Sequence, residues 1–176
     1  MSAARAEMTE EDVQAWVGRE HQDPPGDIVC ERGYILHWLE ATENANPLYW
    51  DELLAKRVTN GFVAPPSMLS AWMRPLQFVP GRTEKRMPLS LHFELKQALD
   101  LPEGIVAYNE MTMGVPVRPG DRVMTTQRIR EISEPKTRRL GTGRSWIIDV
   151  TYTNQDGAVC GVETYEMFAY KREQSS

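Results

Sequence analysis

Residues 104–171 constrain the fold more than any other part of the chain, because strand-forming segments follow one another there with turns between them. Four segments carry the strand pattern: 105–115, 122–132, 145–153 and 159–171. Arg118-Pro119-Gly120-Asp121 supplies one turn, and Asn154-Gln155-Asp156-Gly157 supplies a hairpin whose glycine can take a positive φ. The pattern predicts an antiparallel meander. Because helical segments precede it, the expected fold class is α+β.

The first half of the chain favours helices. Four stretches have helical spacing or helix-forming composition: 9–18, 34–43, 51–57 and 67–78. Thr9 is placed to cap the first helix, and Gly18 is placed to end it. The stretch 67–78 is nearly apolar, which predicts a buried helix. Residues 89–96 alternate like a strand, but the leucines within and after them also fit one helix face, and we favour a helix.

Length and composition predict one globular domain over residues 1–176, with short disordered ends at about 1–8 and 173–176. Hydrophobic residues make up 41% of the chain and charged residues 26%, which is close to the average of globular proteins. The net charge of −5 works against nucleic-acid binding, which depends on Lys and Arg. We therefore expect no nucleic-acid partner and no membrane partner.

The first residues, 1–7, lack the apolar segment that a signal peptide needs, and no later run is long enough to span a membrane. The sequence therefore predicts a cytoplasmic protein. Cys30 and Cys160 could form at most one disulfide. Without a Cys-x-x-Cys or Cys/His cluster they indicate free buried thiols and no metal site.

The loop Asn44-Ala45-Asn46-Pro47-Leu48-Tyr49 follows the second predicted helix, since Pro47 has no N–H to continue it. It resembles the Asp-x-Asn-Pro-x-His signature of MaoC-like (R)-specific enoyl-CoA hydratases, whose Asp and His activate water for addition to an enoyl thioester. Asn44 and Tyr49 stand at those two positions. An amide does not titrate, and a phenol with a pKa of about 10 is a poor base at neutral pH.

Three further segments extend the resemblance over nearly the whole chain: 61–66, 118–121 and Gly141-Thr142-Gly143. In order and spacing they are similar to the N-terminal-type MaoC half of heteromeric dehydratases, above all the larger, non-catalytic subunit of enoyl-CoA hydratases of steroid side-chain breakdown. The resemblance implies a hot-dog fold, a curved antiparallel sheet wrapped around a central helix at about 67–78. It also implies a smaller MaoC-like partner with the Asp/His dyad, in a heterodimer or heterotetramer, and no cofactor beyond the coenzyme A of the substrate.

A second catalytic feature of the family is replaced here. In active relatives a backbone N–H at the start of the central helix helps to stabilise the thioester oxyanion, a contribution of roughly 3 to 4 kcal/mol. The matching positions in this chain are Pro65 and Pro66, and proline has no N–H. The resemblance therefore implies a non-catalytic, pocket-forming subunit that holds no catalytic residue.

The candidates for substrate contact are two helix residues and two loop residues: Trp72, Met68, Asn44 and Tyr49. Helix residues of this kind most often belong to a core, but beside a cleft they would line an acyl pocket, where flexible Met adapts to bulky shapes. Asn44 either shapes its loop or touches substrate, whereas Asn46 is expected to shape the loop. Tyr49 is expected in the wall of a cleft or in an interface.

Other polar residues have plainer interpretations. His21 and His37 are expected to be exposed, and His92 is ambiguous. Glu43 and Asp51, which flank the loop motif, are expected to be solvated caps. Three basic residues are expected to form a solvated hairpin tip, with contact to coenzyme A phosphates as the alternative: Lys136, Arg138 and Arg139.

Two other functions stay open. The chain could be an autonomous homodimeric hydratase or thioesterase that uses Glu43, Asp51 or Tyr49 in an unfamiliar arrangement, and activity of the purified chain alone would establish this. It could also be a non-enzymatic acyl-CoA binder, which would bind a thioester but show no hydratase activity in any pairing.

Overall fold

The computed structural model describes residues 8–84 and 86–172. The two ends that the sequence predicts to be disordered, 1–8 and 173–176, lie outside the described residues except for Met8. Met8 is partly buried and packs against the hydrophobic core.

Four α-helices and two 3-10 helices lie within the described residues. The α-helices are α1 (Glu10–Gln14), α2 (Arg32–Ala41), α3 (Glu52–Thr59) and α4 (Ser90–Ala98). The 3-10 helices span Pro47–Tyr49 and Pro66–Met73. The Thr9 hydroxyl caps α1, as predicted, by accepting the N–H of Asp12 at 3.2 Å. The Asp51 carboxylate caps α3 by accepting the N–H of Leu53 at 2.8 Å, so both caps satisfy amides that a helix start leaves unpaired.

The strands form an antiparallel sheet in the order β1-β3-β5-β6-β2, with β4 paired to the start of β5. Their bounds are β1 (Glu20–Gln22), β2 (Glu103–Met113), β3 (Met124–Ile132), β4 (Lys136–Arg138), β5 (Gly141–Thr153) and β6 (Val159–Lys171). The four long strands confirm the segments predicted from the sequence, with ends that differ by a few residues. The sequence pattern missed β1 and β4, because a strand of three residues is too short to show alternation.

Helix α4 lies against the inner face of the sheet. Leu91 is fully buried, and the His92 ring lies 5.4 Å from the ring of Trp146 on β5. The main-chain N–H of Leu91 donates to Gln127 Oε1 of β3 at 3.2 Å. The preference for a helix over a strand at 89–96 is therefore confirmed, and the apolar face of this helix completes the core.

The prediction of a central helix at 67–78 is wrong. The segment forms the 3-10 helix Pro66–Met73, and Phe78 beyond it is largely exposed. The cause is Pro75, because a residue before proline avoids the α conformation, and Arg74 has φ −63° and ψ 118°. The α-helix that packs on the sheet is α4, while buried residues of the 3-10 helix add to the same core.

Strand β2 forms one edge of the sheet and exposes apolar side chains on both of its faces. Val106 pairs with Met167, a core residue, and therefore points to the inner face, yet it is 52% exposed. Tyr108 pairs with Glu166 on the outer face and is 53% exposed. An edge strand also leaves half of its main-chain groups without a strand partner, so β2 offers both an apolar and a hydrogen-bonding surface.

The Gly-x-Gly segment at the start of β5 lets its main chain run close to β6. A Cβ atom at Gly143 would overlap the carbonyl oxygen of Ala169, and one at Gly141 would overlap that of Lys171. Gly141 also has a φ of 139°, a conformation that favours glycine. The segment therefore has a structural role at the β5–β6 pairing.

Cys30 and Cys160 are free and buried, as predicted. Cys30 has no exposed surface, and burial raises its pKa to about 12. Within the described part of the chain, no group of three or more His, Cys, Asp or Glu side chains could hold a metal ion. The helices described there are also too short or too polar to cross a membrane.

Candidate functional site

A cavity of about 450 Å³ lies between the inner face of the sheet and the segments that cover it. Loop 23–27, the end of the Pro66–Met73 helix, the start of α4 and strands β3, β5 and β6 line this cavity. Its apolar lining includes Met73, Leu89 and Val150. Several polar side chains also reach it, and they form three hydrogen-bonded groups.

The Asp23 carboxylate organises one wall of the cavity. Its Oδ2 accepts hydrogen bonds from the Thr125 hydroxyl and the Gln127 amide, each at 2.7 Å. Its Oδ1 lies 3.4 Å from His21 Nε2. Gln127 also donates to Ser90 Oγ at 3.2 Å, which joins β3 to the start of α4. Because these contacts pair the polar groups of Asp23, Thr125 and Gln127 with one another, the network fixes this wall in one arrangement.

Glu163 of β6 lies behind the cavity lining and is only 5% exposed. Its Oε2 accepts the hydroxyl of Tyr152 at 2.7 Å, and its Oε1 accepts the amide of Asn109 at 3.0 Å. Tyr165 lies close enough for the charge of the same carboxylate to act on its phenol. Tyr152 and Tyr165 both line the cavity. Burial, and then the charge of Glu163, raise the pKa of both phenols, so they stay protonated.

Arginine side chains surround another part of the cavity. Arg82 binds both oxygens of Asp27, at 2.9 and 2.6 Å, and the N–H of Leu76 donates to Asp27 at 2.9 Å. These bonds hold the pKa of Asp27 well below its usual range. Arg74 and Arg86 line the cavity, and only Arg86 of these two contacts Asp27, at 3.4 Å. The cavity thus has carboxylates in its wall and cationic groups at this side.

The loop 44–49 does not line this cavity, and its polar side chains bond to their own backbone. Asn44 Oδ1 accepts the N–H of Asn46 at 3.0 Å, and Asn46 Oδ1 accepts that of Leu48 at 3.0 Å. The loop-shaping interpretation of Asn46 is confirmed. Asn44 has the same local role, and it also borders an open depression that includes Trp50. Substrate contact by Asn44 stays a prediction.

Tyr49 is a core residue, 9% exposed, and burial raises its pKa further from neutrality. This burial differs from the expectation of a cleft wall or an interface. The reason is the 3-10 helix Pro47–Tyr49, which turns the ring inward instead of continuing the loop along the surface. A contact of Tyr49 with substrate stays a prediction.

Met68 and Trp72 are also core residues, each 3% exposed. Trp72 borders a small cavity of about 80 Å³, together with Pro65 and Pro66. Neither Met68 nor Trp72 lines the 450 Å³ cavity, and Asn44 does not line it either. The structure therefore does not gather the four predicted residues into one place, and their role as a substrate pocket stays a prediction.

The polar residues of the 450 Å³ cavity were missed by sequence reasoning. One signal was available, because Gln127, Tyr152 and Glu163 occupy strand positions whose alternate neighbours are core residues such as Ile129 and Val150. A polar residue at an inward position is unusual unless it has a partner or a function. The pattern would have singled out these residues, though not their partners.

The comparison with known proteins decides the family. Residues 15–161 match the family described as FAS1-like, dehydratase domain region. The chain belongs to this family. It is 30% identical over 174 residues to a probable enoyl-CoA hydratase alpha subunit of Thermomonospora curvata, covering 94% of this chain and 53% of that protein.

This FAS1-like dehydratase chain has a second curated relative, from Mycobacterium tuberculosis. It is 31% identical over 118 residues to a 3-oxo-4,17-pregnadiene-20-carboxyl-CoA hydratase alpha subunit, covering 65% of this chain and 36% of that protein. The chain thus spans about half the length of the first relative and about a third of the second.

A solved structure supports the fold of the dehydratase chain. A chain of the ChsH1-ChsH2 complex from Mycobacterium tuberculosis superposes with a TM-score of 0.75, at 21% identity, over 94% of this chain and 95% of that chain. The chain has the hot-dog fold of MaoC-like proteins, and the predicted α+β class is confirmed.

In this dehydratase chain, the segment where relatives were expected to hold an oxyanion amide begins with two prolines. Pro65 is buried, and its carbonyl accepts the N–H of Met68 at 2.9 Å. Pro66 is the first residue of the 3-10 helix. Neither can donate a hydrogen bond, so the first amide in this helix belongs to Ser67.

The remaining predicted polar residues are mostly surface groups. His37 is exposed, as predicted, whereas His21 is only partly exposed because it borders the cavity. Glu43 is exposed, and Asp51 is the N-cap of α3, which confirms its predicted capping role. The basic residues of the predicted hairpin tip are exposed as well: Lys136, Arg138 and Arg139.

His92, whose setting the sequence left ambiguous, is buried in α4. Its ring contacts Phe93 edge-on at 5.0 Å and packs near Trp146. Its Nδ1 has no hydrogen-bond partner among the described residues. Burial, and then the charge of Lys96, lower its pKa to about 4. The imidazole is therefore neutral in the folded dehydratase domain at physiological pH.

Acidification is expected to destabilise the domain through His92. An unfolded imidazole titrates near pH 6.5, whereas the folded His92 has a pKa of about 4. The unfolded state therefore binds more protons between these values. The free energy of unfolding falls as the pH drops from about 6.5 to about 4, by about 3 kcal/mol from this group.

Urea unfolding at several pH values measures this effect. The His92→Leu variant should lose less stability on acidification than the wild type, whereas His37→Gln, at an exposed histidine, should behave like the wild type. An equal loss in wild type and His92→Leu would show that other groups cause the acid sensitivity.

Proposed function

We propose that this chain is the non-catalytic, pocket-forming subunit of a heteromeric enoyl-CoA hydratase. The enzyme would act in the cytoplasm on a bulky 2-enoyl-CoA, such as a steroid side-chain thioester, with no cofactor beyond that coenzyme A. The observation that carries the proposal is the loop 44–49, where the Asn44 side chain bonds its own loop and the Tyr49 ring is buried with a raised pKa. Neither residue can exchange a proton with water near neutral pH.

The two curated relatives support the heteromeric part of the proposal. Both are described as alpha subunits of enoyl-CoA hydratases, a description that applies to one chain of an assembly. The catalytic Asp/His dyad would then lie on a smaller MaoC-like partner chain. In this arrangement the two prolines at 65 and 66 carry no catalytic cost, because the oxyanion would be bound by the partner.

The edge strand β2 is the surface that suits such a partner. It combines unpaired main-chain groups with exposed apolar side chains, among them Val106 and Tyr108. A second antiparallel sheet could extend the sheet across this edge, which would satisfy the main chain and cover both faces of the strand. The complex would be a heterodimer or a heterotetramer.

The 450 Å³ cavity is the proposed site for the acyl group. Its volume falls within the range of about 300 to 1,000 Å³ that is typical of ligand pockets. Arg74 and Arg86 at its side suit the phosphates of coenzyme A, since guanidinium groups bind phosphate with paired hydrogen bonds. The basic residues of β4, which the sequence offered for this role, do not line this cavity.

Co-expression with a small hot-dog chain that has an intact Asp-x-Asn-Pro-x-His motif tests the proposal. We expect hydration of enoyl-CoAs of increasing bulk by the mixture and by neither chain alone. Replacing the partner's motif His should abolish turnover, because that residue would move the proton. The Asn44→Ala complex should retain turnover, and Met73→Ala, which enlarges the cavity, should change the preference among substrates.

The result that would contradict the proposal is equally specific. An assembled Asn44→Ala complex without any turnover would give Asn44 a catalytic role. Gel filtration of each mixture is the necessary control, because a variant that fails to assemble would be inactive for another reason.

One observation favours a second candidate, an autonomous hydratase or thioesterase. Asp23, held by Thr125 and Gln127, lies beside His21 at the edge of the cavity, and a carboxylate that orients a histidine is a common general-base arrangement. Turnover by the purified chain that disappears in His21→Gln would establish this function. Thioester binding without turnover in any pairing would instead indicate an acyl-CoA carrier.

A further inference from the structure

The ion pair between Arg82 and Asp27 joins a residue that lines the 450 Å³ cavity to one that does not. Asp27 belongs to the cavity lining, whereas Arg82 lies outside it. Their side chains are 11% and 22% exposed, respectively, and two bonds of 2.9 and 2.6 Å use both carboxylate oxygens. A carboxylate at this depth needs an opposite charge beside it. Arg82 therefore neutralises Asp27 from outside the cavity.

A tight turn over residues 79–82 brings Arg82 to Asp27. The turn is closed by a 3.0 Å hydrogen bond from the N–H of Arg82 to the carbonyl three residues before it. Gly81 has a φ of 80°, which the third position of such a turn requires. Arg82 also donates to the carbonyl of Leu76 at 3.4 Å. The local backbone therefore holds this guanidinium against Asp27 without the help of a ligand.

The two arginines that line the cavity are bound less closely. Arg86 lies 3.4 Å from the same Asp27 oxygen that Arg82 approaches to 2.6 Å, and its side chain is 40% exposed. Arg74 does not pair with Asp27. Because Arg82 already satisfies the carboxylate, the charges of Arg74 and Arg86 stay available to an anionic ligand.

Loss of Arg82 would change the charge inside the cavity even though Arg82 does not line it. The hydrogen bond from Leu76 also holds the pKa of Asp27 low, so this carboxylate would remain ionised. Its charge would then draw Arg86 into a close pair and repel an anion in the cavity. Charges in a partly dehydrated site act on one another more strongly than in water. A pair of available arginines would thus become a single one.

We propose that Arg82 sets the selectivity of the cavity for a phosphate-bearing thioester, because its neutralisation of Asp27 keeps Arg86 free to bind a phosphate together with Arg74. The inference rests on the proposed function and adds a residue that determines specificity without touching the substrate. Arg82 is therefore a positioning residue, and it acts on the ligand through Asp27 and Arg86.

The test compares two thioesters of cinnamic acid, one with coenzyme A and one with pantetheine, which lacks the phosphates. Calorimetric titration of the full chain, and of the co-expressed complex with the partner's motif His replaced to prevent turnover, gives their dissociation constants. The ratio of the two constants measures the contribution of the phosphates, whereas a general loss of structure would weaken both ligands alike. We expect wild type to bind the coenzyme A thioester at least about tenfold more tightly.

Four variants separate the charge of Arg82 from its packing. Arg82→Gln should lower the ratio by about tenfold, since it releases the charge of Asp27, whereas Arg82→Lys keeps the charge and should keep the ratio. Asp27→Asn removes the competitor for Arg86 and should leave the ratio within about threefold of wild type. The double variant Arg82→Gln/Asp27→Asn should regain the wild-type ratio, which a purely structural clamp would not allow.

Glu10→Gln is the matched control. Glu10 and Arg144 form a comparable two-bond ion pair, at 3.0 and 2.5 Å, and neither residue lines the cavity. The control should lower the thermal stability of the chain and leave the ratio unchanged.

Equal binding of the two thioesters by wild type, or binding of neither, overturns the inference, and turnover by the co-expressed pair would still support the proposed function. Absence of turnover in every pairing overturns the proposed function itself. The inference is also overturned if the double variant has the same low ratio as Arg82→Gln. If Arg82→Gln fails to fold, as thermal unfolding would reveal, the comparison of Asp27→Asn with the double variant decides. Equal ratios there support the inference, because Arg82 then has no charge to neutralise, and unequal ratios overturn it.

Discussion

Lysine at both Val106 and Tyr108 is expected to abolish assembly of the chain with its hot-dog partner, with a loss of at least about 100-fold in affinity and of all turnover. The two positions lie on opposite faces of the edge strand β2, and more than half of each side chain is exposed. Lysine on an edge strand opposes pairing, because its ammonium group would lose water without gaining a partner.

Gel filtration of the co-expressed chains and the hydration assay measure this effect. The matched control places lysine at Leu53 and Val58 of α3, where the exposed fractions are as large, 80% and 61%. The control should assemble and turn over like the wild type. If the β2 variant assembles normally and the α3 variant does not, the partner binds the helical side and the proposed sheet extension is excluded.

Gly143→Ala is expected to destabilise the fold by more than about 4 kcal/mol, an effect at the upper end of single substitutions. The new methyl group would overlap the carbonyl oxygen of Ala169 and the main chain of Tyr170 on β6. A flexible side chain could move aside, but these atoms belong to the β5–β6 pairing at the centre of the sheet. Relief of the overlap would require that the two strands separate.

Urea unfolding of Gly143→Ala measures this loss, and Gly33→Ala is its control. Gly33 lies in α2 with open space where the methyl group would project, so alanine there should raise stability slightly through its better helix propensity. A small loss in Gly143→Ala would show that β5 can shift away from β6, and the structural role of the Gly-x-Gly segment would then be weaker than its geometry indicates.

The sequence predicted most of the elements because their signals are local. Thr9 is recognised as a cap by its side chain and its position alone, and the long strands β3, β5 and β6 alternate clearly enough to be found without tertiary information. The error at 67–78 also has a local cause. Apolar spacing indicated one long helix, but Pro75 stops the helix after Met73. The backbone restriction imposed by proline here overrides the hydrophobic periodicity.

The candidate site was less predictable, because it is assembled from residues far apart in sequence. Asp23 reaches Gln127 across more than a hundred positions, and no spacing rule connects them. Trp72 was expected in the pocket from its helical neighbours, but the helix turned it into the core. Resemblance pointed to Asn44 and Tyr49 as the motif positions, while only the fold could reveal the cavity and the carboxylates around it.

The two buried cysteines give this fold an internal reporter. Alkylating reagents attack a thiolate, and Cys30 combines full burial with a pKa of about 12. At neutral pH such a reagent can react only with molecules in which the surrounding core has opened. The rate of alkylation then reports how often the core opens. It therefore measures local unfolding of the domain without an engineered label.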